Sequence, residues 1–302
     1  MTKVWRINIK TAASEGVDPR IFCIKNNILG IGWQVDYDGE INWDIYNNLA
    51  TEEYYNQGDN GWWPAINAIK NRMKINDLCW TRDWNGVYYL GQIVSDWSYI
   101  RDKANCEADV VNVRKCNWVK VGAVDAVPGK IVNSFIPPRV VQAVQGESVL
   151  LYSQYLYNAL SSQQHYNLPS ITVDLFELIS SEDCEDLVGI YLQDQGYRVI
   201  PSSCKDDTAS YEFVLKNSKT GDSAVTQVKQ GHVNLRTDNY ETFTGNVYLF
   251  TSHGNYIGKS LKNVFTISPE DLKVFAFENR HTLSDRLKTW ISIIEELSTG
   301  VS

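Results

Sequence analysis

Short apolar runs separated by turn signals dominate the first 135 residues of the chain. The runs are rich in β-branched and aromatic residues, and Asn-Gly and Asp-Gly turns lie between them, as is typical of β-strands. These runs are VWRINIK, IFCIKNNILGIGW, DLCWTRDWNGVYYLGQIVSDWSYI and NWVKVG. Within PAINAIKNRMKIND, Ile66, Ile69 and Met73 share one helical face. The pattern therefore predicts a mostly β domain with short helices over residues 1–135.

Residues 136–170 show helical periodicity between two interruptions. Pro137 and Pro138 precede the run ESVLLYSQYLYNALSS, and the polar stretch SSQQHYNLPS follows it. Apolar side chains recur within the run at helical spacing; they are Val149, Leu150, Tyr155, Leu156 and Leu160. We interpret this segment as a linker and helix, and we expect the domain boundary within it.

The second half of the chain combines helical and strand patterns. Ser180 or Ser181 is suited to cap a helix whose first turn contains Glu182 and Asp183, because the helix dipole favours carboxylates there. Gly196 is suited to end that helix. Its expected buried side consists of Leu187, Val188, Tyr191 and Leu192. The later runs are YRVIP, YEFVLKN, SAVTQVKQG, NVYLFTS, PEDLKVFAFENR and LSDRLKTWISIIEELS. We interpret them as α-β-β-β-α-β-α order, an α/β core of three layers.

Composition also supports two domains. At 302 residues the chain exceeds the usual size of one domain, and its 43% apolar residues allow a core in each half. Nine of the ten tryptophans fall in the first 118 residues, and only Trp290 lies beyond them. Such a shift indicates two modules of different origin.

The charge balance restricts the class of nucleic-acid-binding protein. The net charge is −8, with 15 basic and 16 acidic residues in 1–135 and 13 and 20 in 136–302. Phosphate contacts supply most nonspecific affinity for nucleic acid, so this balance disfavours a nonspecific DNA coat protein. A nuclease with a local basic groove, or a dimer, remains compatible with it.

The remaining features place the protein in a reducing compartment. Its six cysteines form no CxxC pair and no zinc-ligand spacing with the four histidines, which predicts reduced and mostly buried thiols. We expect surface or loop roles for His232, His253 and His281. The start of the chain has no signal-peptide core and no 18-residue apolar stretch occurs, so we expect a cytoplasmic protein without a membrane segment.

The residues that most favour a catalytic site lie on two strand-like runs joined by the turn NSKTGDS. Glu212 opens the first run, and Gln227 and Lys229 share one face of the second because they are two residues apart. If the strands pair, Glu212 joins the other two at one end of the hairpin. Acidic and amide oxygens beside a lysine ammonium suit a hard divalent cation and a phosphodiester. This set predicts a metal-dependent nuclease.

With CEDLVGIYLQDQGYRV leading into YEFVLKN and AVTQVKQG, the order of elements resembles the PD-(D/E)xK restriction-endonuclease fold, and within it the Mrr-type branch. The similarity covers about residues 174–255. It implies that Glu212 is the metal-binding acid, where the family more often has aspartate, and that Gln227 is the second metal ligand. It also implies that Lys229 orients the attacking water and offsets charge on the phosphorane. Glu185, on the leading helix, matches an acid that often completes the metal site.

The cofactor that this resemblance implies is Mg²⁺, with Mn²⁺ as a substitute. Because Gln227 stands where an acid could lie, the site has one negative charge fewer, and metal affinity should be modest until a substrate phosphate joins. Asp206 and Asp207, in the loop before Glu212, compete with it as the primary acid. We favour Glu212 because it lies within a strand, where the geometry is rigid.

In the first half, a GIGW run is followed about fifty residues later by a DL-x-W run and a G-x-YYLG-x-I run. These runs resemble the EVE branch of the PUA-like superfamily, small barrels that hold a modified base. The resemblance implies an aromatic pocket that receives an extruded base and reads its edge. The implied pocket residues, aromatic walls first and polar readers second, are Trp33, Trp80 and Trp84, then Arg82, Asp83 and Asn85. Trp62 and Trp63 are candidates for a further wall or a lid.

These expectations describe a two-domain α+β protein. An N-terminal PUA/EVE-like small β-barrel with helices occupies 1–135, a linker and helix occupy 136–170, and an α/β restriction-endonuclease-like core occupies 171–302. We expect an Mg²⁺-dependent endodeoxyribonuclease that reads a modified base in DNA and acts against phage. We expect a homodimer, because two sites related by a two-fold axis match the antiparallel strands of a duplex.

Two alternatives remain open from the sequence. One is a nuclease whose N-terminal pocket senses a small nucleotide signal. The other is a non-catalytic nucleic-acid-binding protein with a degenerate nuclease fold, since Glu212 and Gln227 both depart from the commonest family pattern.

Overall fold

The computed structural model describes residues 2–168, 172–204 and 211–299. The chain divides into two compact units, Met1–Pro169 and Ser170–Ser302. Helices and sheets occur in both, so the protein is α+β, as predicted. Within the described residues, no helix combines the length and the apolar character needed to cross a bilayer.

One sheet forms the centre of the first unit, and seven strands of the described residues belong to it. The strands are β1 (Val4–Ile7), β2 (Ile28–Ile31), β3 (Leu78–Arg82), β4 (Tyr88–Ile93), β5 (Ser98–Tyr99), β6 (Asn112–Gly122) and β7 (Val141–Val144). They pair in the order β2-β6-β4-β3-β1-β7, and β5 also pairs with β6. The β1–β3 pair is parallel and the other pairs are antiparallel. The sheet curls into a half-barrel whose end strands are β2 and β7.

Helices of the first unit pack around this sheet. They are α1 (Pro19–Lys25), α2 (Trp43–Ala50), α3 (Trp62–Asn67), α4 (Lys103–Glu107), α5 (Gly129–Ser134) and α6 (Glu147–Ser161). Two of them continue into π-helical turns, Thr51–Tyr55 after α2 and Ala68–Arg72 after α3. Such turns are rare in proteins and occur frequently at functional sites.

A buried arginine fixes the second π-helical turn to the sheet. Arg114 of β6 donates from Nε to the carbonyl of Ile69 at 2.6 Å and from Nη2 to that of Lys70 at 3.1 Å. Carbonyls at a helix C-terminus have no partner within the helix, and this guanidinium supplies one. Arg72, at the end of the turn, is thereby held next to the sheet.

The segment interpreted as a linker and helix is part of the first unit. The predicted helix is present as α6, and Trp80 of β3 donates to Ser153 of α6 at 3.1 Å. The predicted linker instead contributes the edge strand β7, which pairs with β1 so that Val4 lies opposite Val144. Local sequence patterns do not predict this pairing, because β1 and β7 are more than 130 positions apart in the chain.

The second unit is built on a five-stranded sheet. Its strands are β8 (Tyr197–Val199), β9 (Phe213–Asn217), β10 (Ser223–Lys229), β12 (Asn246–Thr251) and β14 (Val264–Thr266), and the separate pair is β11 (Leu235–Arg236) with β13 (Tyr256–Ile257). The sheet order is β14-β12-β10-β9-β8. β8, β9 and β10 are antiparallel neighbours, whereas β12 runs parallel to β10.

Four helices complete the described part of this unit: α7 (Leu175–Leu178), α8 (Ser181–Asp194), α9 (Pro269–Glu278) and α10 (Asp285–Thr299). Ser180 caps α8 as predicted, since its hydroxyl accepts from the N–H of Asp183 while the Asp183 carboxylate accepts from the N–H of Ser180. Gly196 follows the helix at a φ of +91°. Of the predicted buried side, Tyr191 is half-buried and the other three residues are buried: Leu187, Val188 and Leu192.

The predicted α-helix between the third and fourth strands is wrong. Residues 230–245 contain β11 and a 3₁₀ turn, Thr237–Tyr240, and β14 adds a fifth strand to the sheet. Glycine, asparagine, aspartate and threonine are frequent in this stretch, and they favour turns over helix. Leu235 and Tyr240 are its buried anchors in the apolar cluster beside the sheet.

Candidate functional site

Glu212, Gln227 and Lys229 meet at one end of the β9–β10 hairpin. The N–H of Glu212, one residue before β9, donates to the carbonyl of Thr226 at 2.8 Å. Because Thr226 pairs with Phe213, this register places Glu212 opposite Gln227. Lys229 lies on the same strand face as Gln227, two residues further along β10. The structure thus brings together the three residues that the sequence predicted to converge.

A single carboxylate oxygen joins the other two side chains. Glu212 Oε1 accepts from Gln227 Nε2 at 2.6 Å and from Lys229 Nζ at 2.8 Å. Gln227 is buried, whereas the Lys229 side chain is 41% exposed. The lysine ammonium therefore lies at the surface of the unit, and its hydrogen bond to Glu212 fixes its position.

Glu185 of α8 faces the same site. It lines a pocket of about 470 Å³ together with Glu212, Asp186 and Phe213. Burial, and secondarily the charge of Glu212, raise the pKa of Glu185 to about 7. The pKa of Asp186 is also raised by burial. Three carboxylates therefore line a pocket that has no basic residue among the described residues of its lining, and a cation would relieve their repulsion.

The donor types suit a hard cation. Two carboxylates and one amide oxygen are the ligands that Mg²⁺ accepts, with water and substrate phosphate completing its shell. No cluster of three histidine, cysteine, aspartate or glutamate side chains suited to a metal occurs in the described ranges. Beside Glu185 and Glu212, the remaining ligands of a cation can come from Gln227, water or a phosphate.

The amide of Gln227 has the wrong end towards Glu212 for metal ligation. Its Nε2 donates to Glu212, and its Oε1 lies 3.5 Å from the Tyr240 hydroxyl. A half-turn of the amide would direct Oε1 at the carboxylate, an arrangement that needs a cation between the two oxygens. Tyr240 can donate or accept, so it remains a partner in either orientation.

We predict opposite effects of Glu185→Gln on the stability of the protein and on its affinity for a divalent cation. The folded protein retains this proton up to pH about 7, whereas an unfolded chain releases it near the ordinary value of 4.5. The Glu185 contribution to the unfolding free energy therefore falls as pH rises from 4.5 to 7. The variant should be more stable at pH 8 without metal, by about 1 kcal/mol once solvent screening is allowed for. Urea unfolding in EDTA at pH 5 and pH 8 measures this.

The same variant should bind Mn²⁺ more weakly, because the predicted cation site would lose one carboxylate. Glu278→Gln, at the exposed end of α9, removes an acid elsewhere in the unit and should change neither property. A variant Glu185→Gln that is less stable at pH 8 than the wild type would contradict the crowded-carboxylate interpretation.

The alternative primary acids, Asp206 and Asp207, lie outside the described residues. Glu212 lies one residue before β9 and not, as we expected, within a strand, but the N–H of Glu212 continues the pairing with β10 and its carboxylate contacts both Gln227 and Lys229.

A hydrogen-bonded chain that sequence reasoning missed follows the end of β12. His253 Nε2 lies 2.6 Å from Asp174 Oδ2, and its Nδ1 lies 2.9 Å from Ser252 Oγ. The imidazole therefore bridges the Asp174 carboxylate and the Ser252 hydroxyl, one through each ring nitrogen. Ser252 Oγ also accepts from the N–H of Gly231, two residues after Lys229, at 2.8 Å. The chain fixes the backbone that follows the lysine.

In the first unit, Trp33 lines a pocket of about 440 Å³. Its φ of +63° is left-handed, a conformation that costs a bulky residue about 1–3 kcal/mol. The indole N–H donates to Asp59 at 2.8 Å, and the Trp33 carbonyl accepts from the Tyr46 hydroxyl at 3.2 Å. Backbone strain fixed by surrounding contacts is concentrated at binding sites, which favours a ligand role for this pocket.

Tyr54 and Asp109 complete the same pocket. The Tyr54 hydroxyl donates to the carbonyl of Gln34, and Asp109 accepts from Gln34 Nε2 at 3.0 Å and from the N–H of Ala12 at 2.9 Å. A Cβ on Gly32 would clash with the Asp109 carboxylate, which would have to move away from Gln34 and Ala12. Two aromatic side chains and polar groups thus line a space suited to a planar ligand. Tyr54 had no sequence signal, because a π-helical turn has no recognisable pattern.

Two of the predicted tryptophans are core residues. Trp80 is fully buried and donates to Ser153, so it packs between β3 and α6 and does not line the Trp33 pocket. Trp62 is 1% exposed and donates to the Tyr46 hydroxyl at 3.2 Å. Both belong to the packing of the first unit.

The exposed tryptophans lie elsewhere on the surface. Trp84 is 66% exposed, and its ring centroid lies 3.9 Å from Cζ of Arg20. Trp63 is 41% exposed and lines a different pocket. The structure therefore does not bring Trp84 to Trp33.

Two of the three predicted polar readers, Asp83 and Arg82, have structural partners, whereas Asn85 is exposed and bonds to Asp83 through its backbone. Asp83 accepts from the N–H groups of Asn85 and Val87, both at 2.9 Å, and so closes the turn between β3 and β4. The Arg82 guanidinium lies 4.9 Å from the ring centroid of Phe135. These residues stabilise the turn and its surroundings, away from the residues that line the Trp33 pocket.

Comparison with known proteins gives one partial match. Residues 5–131 match a family described as a domain of unknown function (DUF8426), which covers less than half of the chain and lies within the first unit. No curated protein and no solved structure matches the chain.

Proposed function

We propose that the protein is a divalent-metal-dependent endonuclease that cuts DNA and uses its first unit to read a modified base. The meeting of Gln227 and Lys229 on one oxygen of Glu212, with Glu185 beside them, is the observation that carries this proposal. Glu212 alone, or Lys229 alone, would be an ordinary side chain at the end of a strand. A lysine held at a crowded carboxylate pair has no evident packing role.

We further propose that the second unit is a restriction-endonuclease-like core of the Mrr type. In its favour, α8 precedes three antiparallel strands, Gln227 and Lys229 lie at the end of the third, and β12 is parallel to it. The 3₁₀ turn before β12, where a helix was expected, is a departure from the predicted order. For the first unit we propose a PUA/EVE-like small barrel, supported by its curled sheet and the pocket at Trp33.

Each side chain has a distinct role in phosphodiester hydrolysis. Glu212 and Glu185 would hold Mg²⁺ or Mn²⁺, with the turned amide of Gln227 as the neutral ligand. When bound, the cation supplies Lewis-acid charge next to the scissile phosphate. Lys229 donates to Glu212 and places a positive charge where the phosphate gains negative charge during attack by water.

Supercoiled plasmid tests the nuclease proposal. The full chain should convert it to nicked or linear DNA in Mg²⁺ and leave it intact in EDTA. Equal cutting in EDTA would overturn the metal-dependent mechanism.

For the first unit we propose base reading by stacking. Residues 1–135 are nearly neutral, so counterion release cannot supply strong nonspecific affinity. The affinity must then come from aromatic faces and hydrogen bonds. Trp33 and Tyr54 offer the faces, and Asp109 and Gln34 border the pocket with polar groups.

We predict that Trp33→Ala removes the preference for the cognate base. Loss of one aromatic wall should lower affinity for the preferred DNA by one to two orders of magnitude, because base stacking on an aromatic is worth about 1–3 kcal/mol. Fluorescence anisotropy with matched plain and modified duplexes measures this. Trp84→Ala, an exposed tryptophan outside the pocket, is the matched control and should bind as the wild type does. Unchanged discrimination by folded Trp33→Ala would place the reading site elsewhere.

We also propose a homodimer on DNA, because one active site cuts one strand and a two-fold pair of sites matches an antiparallel duplex.

A further inference from the structure

A second pocket of the first unit has a lining unlike that of the Trp33 pocket. It measures about 780 Å³, within the range of about 300–1,000 Å³ for small-molecule sites, and lies between α3 and the edge strand β7. Arg72 and Arg139 contribute positive charge, and Trp63 contributes an aromatic face. None of the described residues that line it is acidic. In a chain of net charge −8, such a lining favours an anionic ligand.

A third arginine lies behind the pocket. Arg6 is fully buried, and its guanidinium donates to the carbonyls of Ser134 and Arg139 and to Gln142 Oε1, the last at 3.1 Å. Its Nε has no hydrogen-bond partner among the described residues. Burial, with a contribution from Arg139 and Arg82, lowers the pKa of Arg6 to about 10, so it stays charged at neutral pH.

Gln142 and Arg139 both line the pocket and accept hydrogen bonds from Arg6. The buried charge of Arg6 therefore lies directly behind the pocket wall. Within the described residues, the Arg6 guanidinium donates to carbonyl and amide oxygens and not to carboxylates. The field of this charge therefore adds to that of the two arginines in the lining.

The Trp63 ring and the π-helical turn give the pocket its shape. Trp63 packs on Trp62 with ring centroids 5.6 Å apart and remains 41% exposed. The turn Ala68–Arg72, fixed by Arg114, presents Arg72 at the other side. A flat aromatic face beside two guanidinium groups matches the two chemical parts of a nucleotide, base and phosphate.

This pocket adjoins the one at Trp33. Val140 lines both, and Gly61, which lines the second, lies against Trp33: a Cβ on it would be 3.8 Å from Trp33 Cζ2. Asp59 connects them, since one of its oxygens accepts from the Trp33 indole and the other from the N–H of Gly61. Two linked nucleotides could thus occupy the two neighbouring pockets, one nucleotide in each.

We propose that the Arg72–Arg139–Trp63 pocket binds a nucleotide, with its phosphate on the arginines and its base on the tryptophan. In DNA, this nucleotide is the neighbour of the base that Trp33 reads; that assignment rests on the proposed reading function, whereas the nucleotide chemistry of the pocket does not. A free nucleotide would use the same groups, and the two sources are distinguished by experiment.

The test is a binding titration of the full-length chain with dTMP and with a 5′-phosphorylated four-residue oligodeoxythymidylate, followed by calorimetry. Arg72→Gln and Arg139→Gln should each weaken oligonucleotide binding about tenfold and lower its salt dependence by about one unit of slope. Trp63→Ala should weaken it about tenfold through lost stacking. Arg101→Gln and Trp84→Ala remove an exposed arginine and an exposed tryptophan elsewhere in the unit and should bind as the wild type does.

The outcomes separate the two sources. Oligonucleotide binding at least tenfold tighter than dTMP binding, with the difference lost in Trp33→Ala, supports the neighbouring-nucleotide assignment. Equal binding of both overturns that assignment and identifies a free nucleotide as the ligand. Wild-type binding by folded Arg72→Gln, Arg139→Gln and Trp63→Ala overturns the pocket altogether.

Failure of the nuclease proposal would look different. Plasmid left intact in Mg²⁺ by a chain whose pocket variants still lose nucleotide binding refutes cleavage and retains the pocket. Normal binding by the pocket variants, combined with Mg²⁺-dependent cleavage, refutes the pocket and retains the nuclease.

Discussion

Lys229→Met is expected to lower the rate of DNA cleavage by about 10²–10³-fold while leaving the fold and DNA affinity nearly unchanged. The ammonium donates to Glu212 and lies at a half-exposed position next to the carboxylate pair. A charge that acts on the developing negative charge of the transition state contributes more to rate than to binding. Methionine retains the length and the apolar stem of lysine, so the packing of β10 is preserved.

Single-turnover cleavage with saturating enzyme measures this effect. Lys216→Met is the matched control, because Lys216 is an exposed lysine of β9. Among the described residues, its ammonium donates to Ser223 Oγ (2.7 Å) and to the Gly221 carbonyl (3.2 Å). It should cut at the wild-type rate. Wild-type turnover by Lys229→Met would place the active site elsewhere.

Glu212→Gln should abolish metal-dependent cleavage and weaken Mn²⁺ binding by more than about 100-fold. Replacement of residues that only orient a metal ligand already costs about 10–100-fold in metal affinity, and Glu212 is proposed as a ligand itself. The amide oxygen of glutamine can still accept from Gln227 and Lys229, so the local hydrogen bonds survive. Calorimetric titration with Mn²⁺ measures the affinity.

Glu278→Gln serves again as the control, since it removes an exposed acid of α9 in the same unit. Equal Mn²⁺ affinity in the wild type and Glu212→Gln would exclude Glu212 as a metal ligand.

Local sequence signals were sufficient to predict that Glu212, Gln227 and Lys229 converge. The hairpin that joins β9 and β10 is short, so its register follows from the strand pattern, and residues two apart on a strand share a face. Glu212, Gln227 and Lys229 could therefore be placed together. The start of α8 was equally readable, because Ser180 and Asp183 form a capping box with a recognisable spacing.

The positions that could not be predicted from the sequence depend on contacts between residues far apart in the chain. Trp80 lies on a strand whose alternating aromatic residues are compatible with a pocket as well as with a core. It is a core residue because α6 packs on it and Ser153 of that helix, 73 positions later in the chain, accepts its hydrogen bond. The contact between Asp174 and His253 spans 79 positions and was equally invisible. The π-helical turns that present Tyr54 and Arg72 have no sequence pattern at all, and neither pocket could be completed without them.

The most direct test of a base-reading, metal-dependent nuclease is cleavage of one amplified DNA sequence made with different nucleotides. Four substrates would contain plain bases, 5-methylcytosine, 5-hydroxymethylcytosine or N6-methyladenine, each incubated with the full chain in Mg²⁺ or EDTA. We predict cleavage in Mg²⁺ alone, with at least one modified substrate cut about tenfold faster than the plain one. A folded chain that cuts none of the four in Mg²⁺ or Mn²⁺, or all four equally, would contradict the proposed function.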